Sequence, residues 1–139
     1  MSDKDKRVRF FFTNTVPLLG YLSLIAVLSH TEGAAFGIPV YHDKCIHCLE
    51  YLPVGFLLLR WLSNRSRKRS QRGKAMVATL VLGVLYGAAD EVHQSFIPGR
   101  SAELLDVAAD GVGVLIGCLG YALWMSRDRN WNNNLEIKI

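Results

Sequence analysis

The sequence predicts an all-α integral membrane protein, a bundle of four transmembrane helices with both termini in the cytoplasm. Three observations predict it. Half of the 139 residues are hydrophobic and only a fifth are charged. The charges sit in short blocks with long apolar runs between them, and Lys and Arg gather at alternate ends of those runs. The length suggests a single domain, residues 1–139. The composition excludes disorder, collagen-like repeats and a disulfide scaffold. The formal net charge is +4, but the basic blocks lack interleaved aromatics, so no nucleic-acid partner is expected.

The first span is expected at about 10–29. Phe10 to Ser29 carries no formal charge over 20 residues, and a bilayer core of ~30 Å needs about 20 helical residues. Pro17 lies inside it and should kink it, which membrane helices tolerate. Lys4, Lys6, Arg7 and Arg9 could head a signal peptide, but an apolar region of about 7–15 residues is usual there, so a retained helix is expected. The second span, about 44–62, is apolar apart from a few residues, His47, Glu50 and Arg60 among them. The third, about 75–92, is clean from Ala75 to Ala89 and ends at Asp90-Glu91. The fourth, about 103–125, carries Asp106 and Asp110 in its first half. Helices of a soluble bundle would each keep a polar face. The first, third and fourth runs are instead apolar all round over several turns.

Charge sets the orientation. Residues 1–9 carry four Lys/Arg, the linker 63–74 carries six, and the tail adds Arg127, Arg129 and Lys138. The stretch 31–42 has none, and 92–102 has only Arg100. The positive-inside rule puts both termini and the basic linker in the cytoplasm. Glu32, Asp43, Glu50, Asp90, Glu91, Glu103, Asp106 and Asp110 then fall on the outer side, with His30, His42, His47 and His93. Trp61, Trp124 and Trp131 read as anchors at the inner interface.

Helical spacing gathers these residues into stripes. Asp43, His47, Glu50 and Tyr51 share one. Gly83, Gly87, Asp90, Glu91 and Gln94 share a second, and Asp106, Asp110, Gly113 and Gly117 a third. Gly83-x-x-x-Gly87 and Gly113-x-x-x-Gly117 are small-xxx-small patterns that allow close approach. Packed glycine face on glycine face, the third and fourth spans would bring Asp90 and Glu91 towards Asp106 and Asp110. Asp43 or Ser101 could cap a helix. Asp90 and Glu91 lie at a helix C-terminus, where the dipole disfavours anions. Arg100, across the Pro98-Gly99 turn, is expected to neutralise them in bidentate geometry.

Other chemistry is thinly signalled. Cys45-x-x-Cys48 reads as two small residues in a helix rather than a redox or haem motif, and Cys118 as packing. His47, His93 and the carboxylates are ordinary metal-ligand types, but no ligand motif such as His-Glu-x-x-His occurs. No metal or cofactor is expected. Phosphate loops, nucleophile elbows and nucleotide signatures are likewise missing.

Asp43-Lys44-x-x-His47-x-x-x-Tyr51, then Asp90-Glu91-x-x-Gln94-x-x-x-Pro98-Gly99-Arg100-Ser101-Ala102, then Asp106-x-x-x-Asp110-x-x-Gly113 resembles the VanZ-like membrane protein family over about residues 41–118. Asp110 stands where the family pattern usually has Asn. The family takes its name from a protein of glycopeptide-resistance clusters that lowers teicoplanin susceptibility. The resemblance implies a small bacterial inner-membrane protein and a cell-envelope role. Three activities fit the residues. The first is binding of an envelope lipid or lipid-linked anionic group at an outward polar site. The second is acid-base catalysis on a headgroup, and the third a small transporter or proton relay. An enzyme should show a nucleophile or a metal set, and neither is clear; a relay should continue acids through the inner half, and the third and fourth spans are bare there, so binding is the expected activity by elimination. Membrane lipids are the expected partners, with a homo-oligomer possible in the transporter case.

Overall fold

The computed structural model describes residues 2–30, 40–65 and 71–136, with side chains for 2–30, 43–65 and 71–128. Glu32, Arg67, Lys68, Arg69 and Lys138 lie outside the described residues, as do the side chains of His42, Arg129 and Trp131. The described chain is helical: α1 (Asp3–Phe10), a π-helical turn (Phe11–Thr15), α2 (Val16–Ser29), α3 (Val40–Arg65), α4 (Arg72–Gln94) and α5 (Leu104–Glu136). Among the described residues there is no strand. Four helices are long and apolar enough to cross a membrane: Asp3–Ser29, Asp43–Arg65, Arg72–Gln94 and Leu104–Asp128.

Each helix outruns the apolar stretch that announced it. Helix α1 begins at Asp3, where the Ser2 hydroxyl accepts from Lys4 and Asp5 accepts from the Ser2 backbone. That capping box satisfies donors the first turn would leave bare. Helix α5 continues past Met125 to Glu136. Apolarity marks the membrane, not the helix, and backbone pairing carries on into the charged flanks.

Pro17 has no N–H for the Thr13 carbonyl. The strain is taken up upstream as the π turn, in which Val16 donates to Phe11, five residues back. The wider turn presents Thr13, Asn14 and Thr15, and two of these tie the first span to α3. Asn64 donates to Asn14 at 2.7 Å and the Trp61 indole to Thr15 at 3.1 Å. Higher up, Tyr21 donates to the Glu50 carbonyl at 2.9 Å and Tyr86 to the Leu22 carbonyl at 2.7 Å. Gln94 donates to Ser29 at 2.9 Å. Between membrane helices such bonds average about 0.6 kcal/mol each. Together they hold a helix whose apolar surface has little reason to leave lipid.

The burial pattern suits that solvent. Phe12, Leu24, Val77, Leu85, Leu104 and Leu123 are exposed on the outside of the bundle, whereas Asp90, Glu91, Asp106 and Asp110 are buried. Water would invert that order; a bilayer favours it.

The glycines pack differently from expectation. Gly83 and Gly87 do face α5, but not its glycines. A Cβ at Gly83 would meet Val114 side-chain atoms at 2.7 Å, and one at Gly87 would meet Asp110 at 2.6 Å. Gly113 and Gly117 face α3 instead, against the backbone carbonyls of Cys48 and Leu52. Gly55 of α3 reciprocates against the Val114 backbone. Glycine on α4 accommodates bulk on α5, and glycine on α5 accommodates backbone on α3. Below the polar residues, Tyr51, Val54, Leu59, Val114, Cys118 and Tyr121 form the buried core. The three cysteines are free thiols, and Cys118 packs its Sγ 3.7 Å from the Gly55 carbonyl.

Candidate functional site

Three helix ends converge on His47. It lies on the second turn of α3 and is 3% exposed. Its Nδ1 stands 3.1 Å from Oδ1 of Asp110, which is fully buried. A carboxylate only accepts, so the imidazole proton sits on Nδ1 and is donated to Asp110. Nε2 then faces Asp43 Oδ1 and Glu91 Oε1, each 4.0 Å away. Gly87 is what lets Asp110 sit here, since a methyl on α4 would overlap its carboxylate.

Lys44 gathers the acids at the rim. Its Nζ contacts Asp106 and Glu103, the latter at 2.6 Å, and approaches Asp43 at 3.9 Å. The ammonium holds the exposed Glu103 carboxyl below its ordinary range, through a hydrogen bond first and Coulomb attraction second. That contribution is present above the ordinary carboxylate range and fades as pH falls through the lowered value.

The acids at the end of α4 are held by hydrogen bonds from neutral donors, not by Arg100. Glu91 Oε2 accepts the backbone N–H of Glu103 at 2.8 Å, immediately before α5 begins. An anion misplaced at the C-terminus of its own helix thus serves the N-terminus of the next, where the dipole favours it. Asp90 accepts from Gln94 at 2.9 Å, so its burden falls on an amide. Among the described residues Arg100 forms no ion pair or side-chain hydrogen bond, though its charge acts on Glu50. It follows Gly99, whose φ of +81° makes the turn and suits glycine. The expected bidentate pairing is therefore corrected: a backbone donor does the work assigned to the guanidinium.

The structure brings together Asp43, Lys44, His47, Glu91, Asp106 and Asp110. Tyr51 lies one turn below His47, fully buried, and Asp90 and Gln94 sit beside the cluster, joined to Ser29. Ser101 is exposed and its side chain makes no hydrogen bond among the described residues; Glu103 directly precedes α5. Glu103, Ser29 and the stacked His30–His93 pair, 3.2 Å between ring nitrogens, are additions. The available signal for Glu103 was its spacing, three residues before Asp106 and seven before Asp110, which puts it on their stripe. Among the described residues, three buried oxygens of this end find neither a hydrogen bond nor an ion pair with Lys or Arg, Tyr51 Oη, Glu91 Oε1 and Asp110 Oδ2, and a fourth, Asp106 Oδ1, has only Lys44.

The model of the VanZ/LLP1 family matches residues 6–125. The chain is 28% identical over 111 residues to an uncharacterised protein of Schizosaccharomyces pombe, covering 79% of this chain and 65% of that one. This chain thus spans about two thirds of the length of the curated relative it matches. No solved structure matches it.

Proposed function

Because the chain belongs to the VanZ/LLP1 family, we propose that it is a multi-pass protein of the bacterial cytoplasmic membrane. Its polar end faces outward and binds an envelope lipid or lipid-linked anionic group, in a cell-envelope role of the glycopeptide-resistance type. The observation that carries this reading is Arg100. It is a guanidinium without an ion pair among the described residues, held by the Gly99 turn at the rim of a buried polar cluster. A planar fork at a membrane boundary suits a phosphate or carboxylate headgroup.

Lipid mass spectrometry of the protein in native nanodiscs tests it. Wild type is expected to retain an anionic lipid that Arg100→Ala loses and Arg100→Lys does not restore, because a point charge does not replace the fork. All three proteins should melt alike, since no described partner is stranded. Identical lipid profiles would remove the binding reading.

Acid-base catalysis is the second reading, favoured by the Asp110–His47 pair with Nε2 open. A proton relay has less support, because the core below Tyr51 is Val54, Leu59, Val114 and Cys118.

The orientation has its own test. In a background without Cys45, Cys48 and Cys118, Ala102→Cys should react with an impermeant thiol reagent on intact cells. Lys74→Cys should react only after permeabilisation. The reverse pattern would invert the topology.

A further inference from the structure

The Asp110 hydrogen bond fixes one edge of the His47 ring and turns the other edge, Nε2, towards Asp43 and Glu91; in the neutral ring Nε2 carries the lone pair. Among the described residues that atom makes no hydrogen bond, and its two 4.0 Å neighbours are carboxylate oxygens too distant to accept one. One of them, Glu91 Oε1, is buried and has no hydrogen-bond partner. One donor atom each from Asp43, His47 and Asp106 also lies within 4.8 Å of the others.

We propose that this end of the bundle is a divalent-cation site, with His47 Nε2 and the carboxylates of Asp43, Glu91 and Asp106 as ligands and Asp110 as the positioning residue.

Four features carry it. Ligands at about 2.1 Å from an ion stand roughly 3–4 Å from one another, the spacing seen around Nε2 and too long for direct bonding. A carboxylate on the far ring nitrogen is the usual support of a metal-bound histidine, fixing tautomer and orientation. Glu91 commits one oxygen to the start of α5 and leaves the other pointing at Nε2. Finally, Asp43, Glu103 and Asp106 share a single ammonium, Lys44, while Glu91 and Asp110 face His47 and have no Lys or Arg within ion-pair distance among the described residues. A buried excess of negative charge calls for a further cation. One imidazole with three carboxylates suits Mn²⁺, Fe²⁺ or Zn²⁺ better than a soft or large ion.

Lys44 distinguishes this from a purely structural ion-pair network, since it shares Asp106 with the proposed ion. The full-length protein in detergent, stripped with chelator, is titrated with MnCl₂ and followed by loss of the free Mn²⁺ paramagnetic resonance signal. ZnCl₂ then serves as competitor. Wild type is expected to take up one Mn²⁺ per chain and release it to Zn²⁺. Asp110→Asn keeps the Nδ1 hydrogen bond and should melt near wild type, yet bind Mn²⁺ roughly 10–100-fold more weakly. Asp43→Asn, at the half-exposed rim, should weaken binding while the fold is kept. Lys44→Met should melt lower in chelator and recover when MnCl₂ is added. Absence of saturable Mn²⁺ or Zn²⁺ binding below millimolar concentration in wild type would overturn the site. So would binding unchanged by both Asp43→Asn and Glu91→Gln.

Discussion

Gly117→Leu is expected to abolish the folded bundle, and Gly113→Leu to come close. At both positions the first atom of a side chain already collides with α3 backbone, at the Leu52 and Cys48 carbonyls respectively. A clash with a flexible side chain is relieved by a rotamer change; one with a helix backbone is relieved only by moving the helix. Ordinary overpacking costs about 1–3 kcal/mol. Separating α3 from α5 costs more, because it also opens the core around Tyr51, Val54, Val114 and Cys118. Gly120→Leu is the matched control, with nothing within 4 Å of the added carbon. Size-exclusion yield and thermal unfolding in detergent read the difference. Wild-type behaviour of Gly117→Leu would mean that α3 and α5 do not touch there.

His47→Ala is the second large effect. It leaves Asp110 fully buried, with its hydrogen-bonded partner gone and its Oδ2 already without one. Stranding a buried charge typically costs about 3–5 kcal/mol. The penalty belongs to the carboxylate and not to the missing ring, so it should shrink when the charge is removed too. In an Asp110→Asn background, His47→Ala should lose only about 1–2 kcal/mol, the scale of a lost hydrogen bond. Reversible unfolding in mixed detergent micelles gives the four stabilities of the cycle. Equal losses from His47→Ala in both backgrounds would show that the two side chains are not coupled.

Much of this was written in the chain. Charge-free runs announce four spans because hydrocarbon tolerates little else, and helical spacing puts His47, Glu91, Asp106 and Asp110 on inward stripes. What was hidden involves partners that composition does not encode. A small-xxx-small pattern says that something comes close, not which helix, so it leaves open that Gly113 and Gly117 face α3 and not α4. Glu91 Oε2 is satisfied by a backbone N–H, which every residue but proline owns, whereas Arg100 is the cation that composition displays. The ties from Thr15 to Trp61 and from Asn14 to Asn64 span 46 and 50 residues. They depend on a π turn that no spacing rule predicts.

The triple glycine seam has a mechanical consequence. Gly55, Gly113 and Gly117 press α3 and α5 together, backbone against backbone, from Cys48 to Phe56 on α3 and from Gly113 to Gly117 on α5. Helices engaged in this way cannot slide or roll past one another, since any shift drives a carbonyl into a Cα. Close-packed elements move as blocks. His47 and Asp110 therefore ride on one stiff beam and keep their separation whatever the protein binds. Helix α4 meets that beam through side chains, at Val114 and Asp110 and through the Glu91 bond to the Glu103 N–H, and the first span hangs on separate hydrogen bonds. The His47–Asp110 distance is thus set by backbone packing, and the Glu91–His47 distance by side chains.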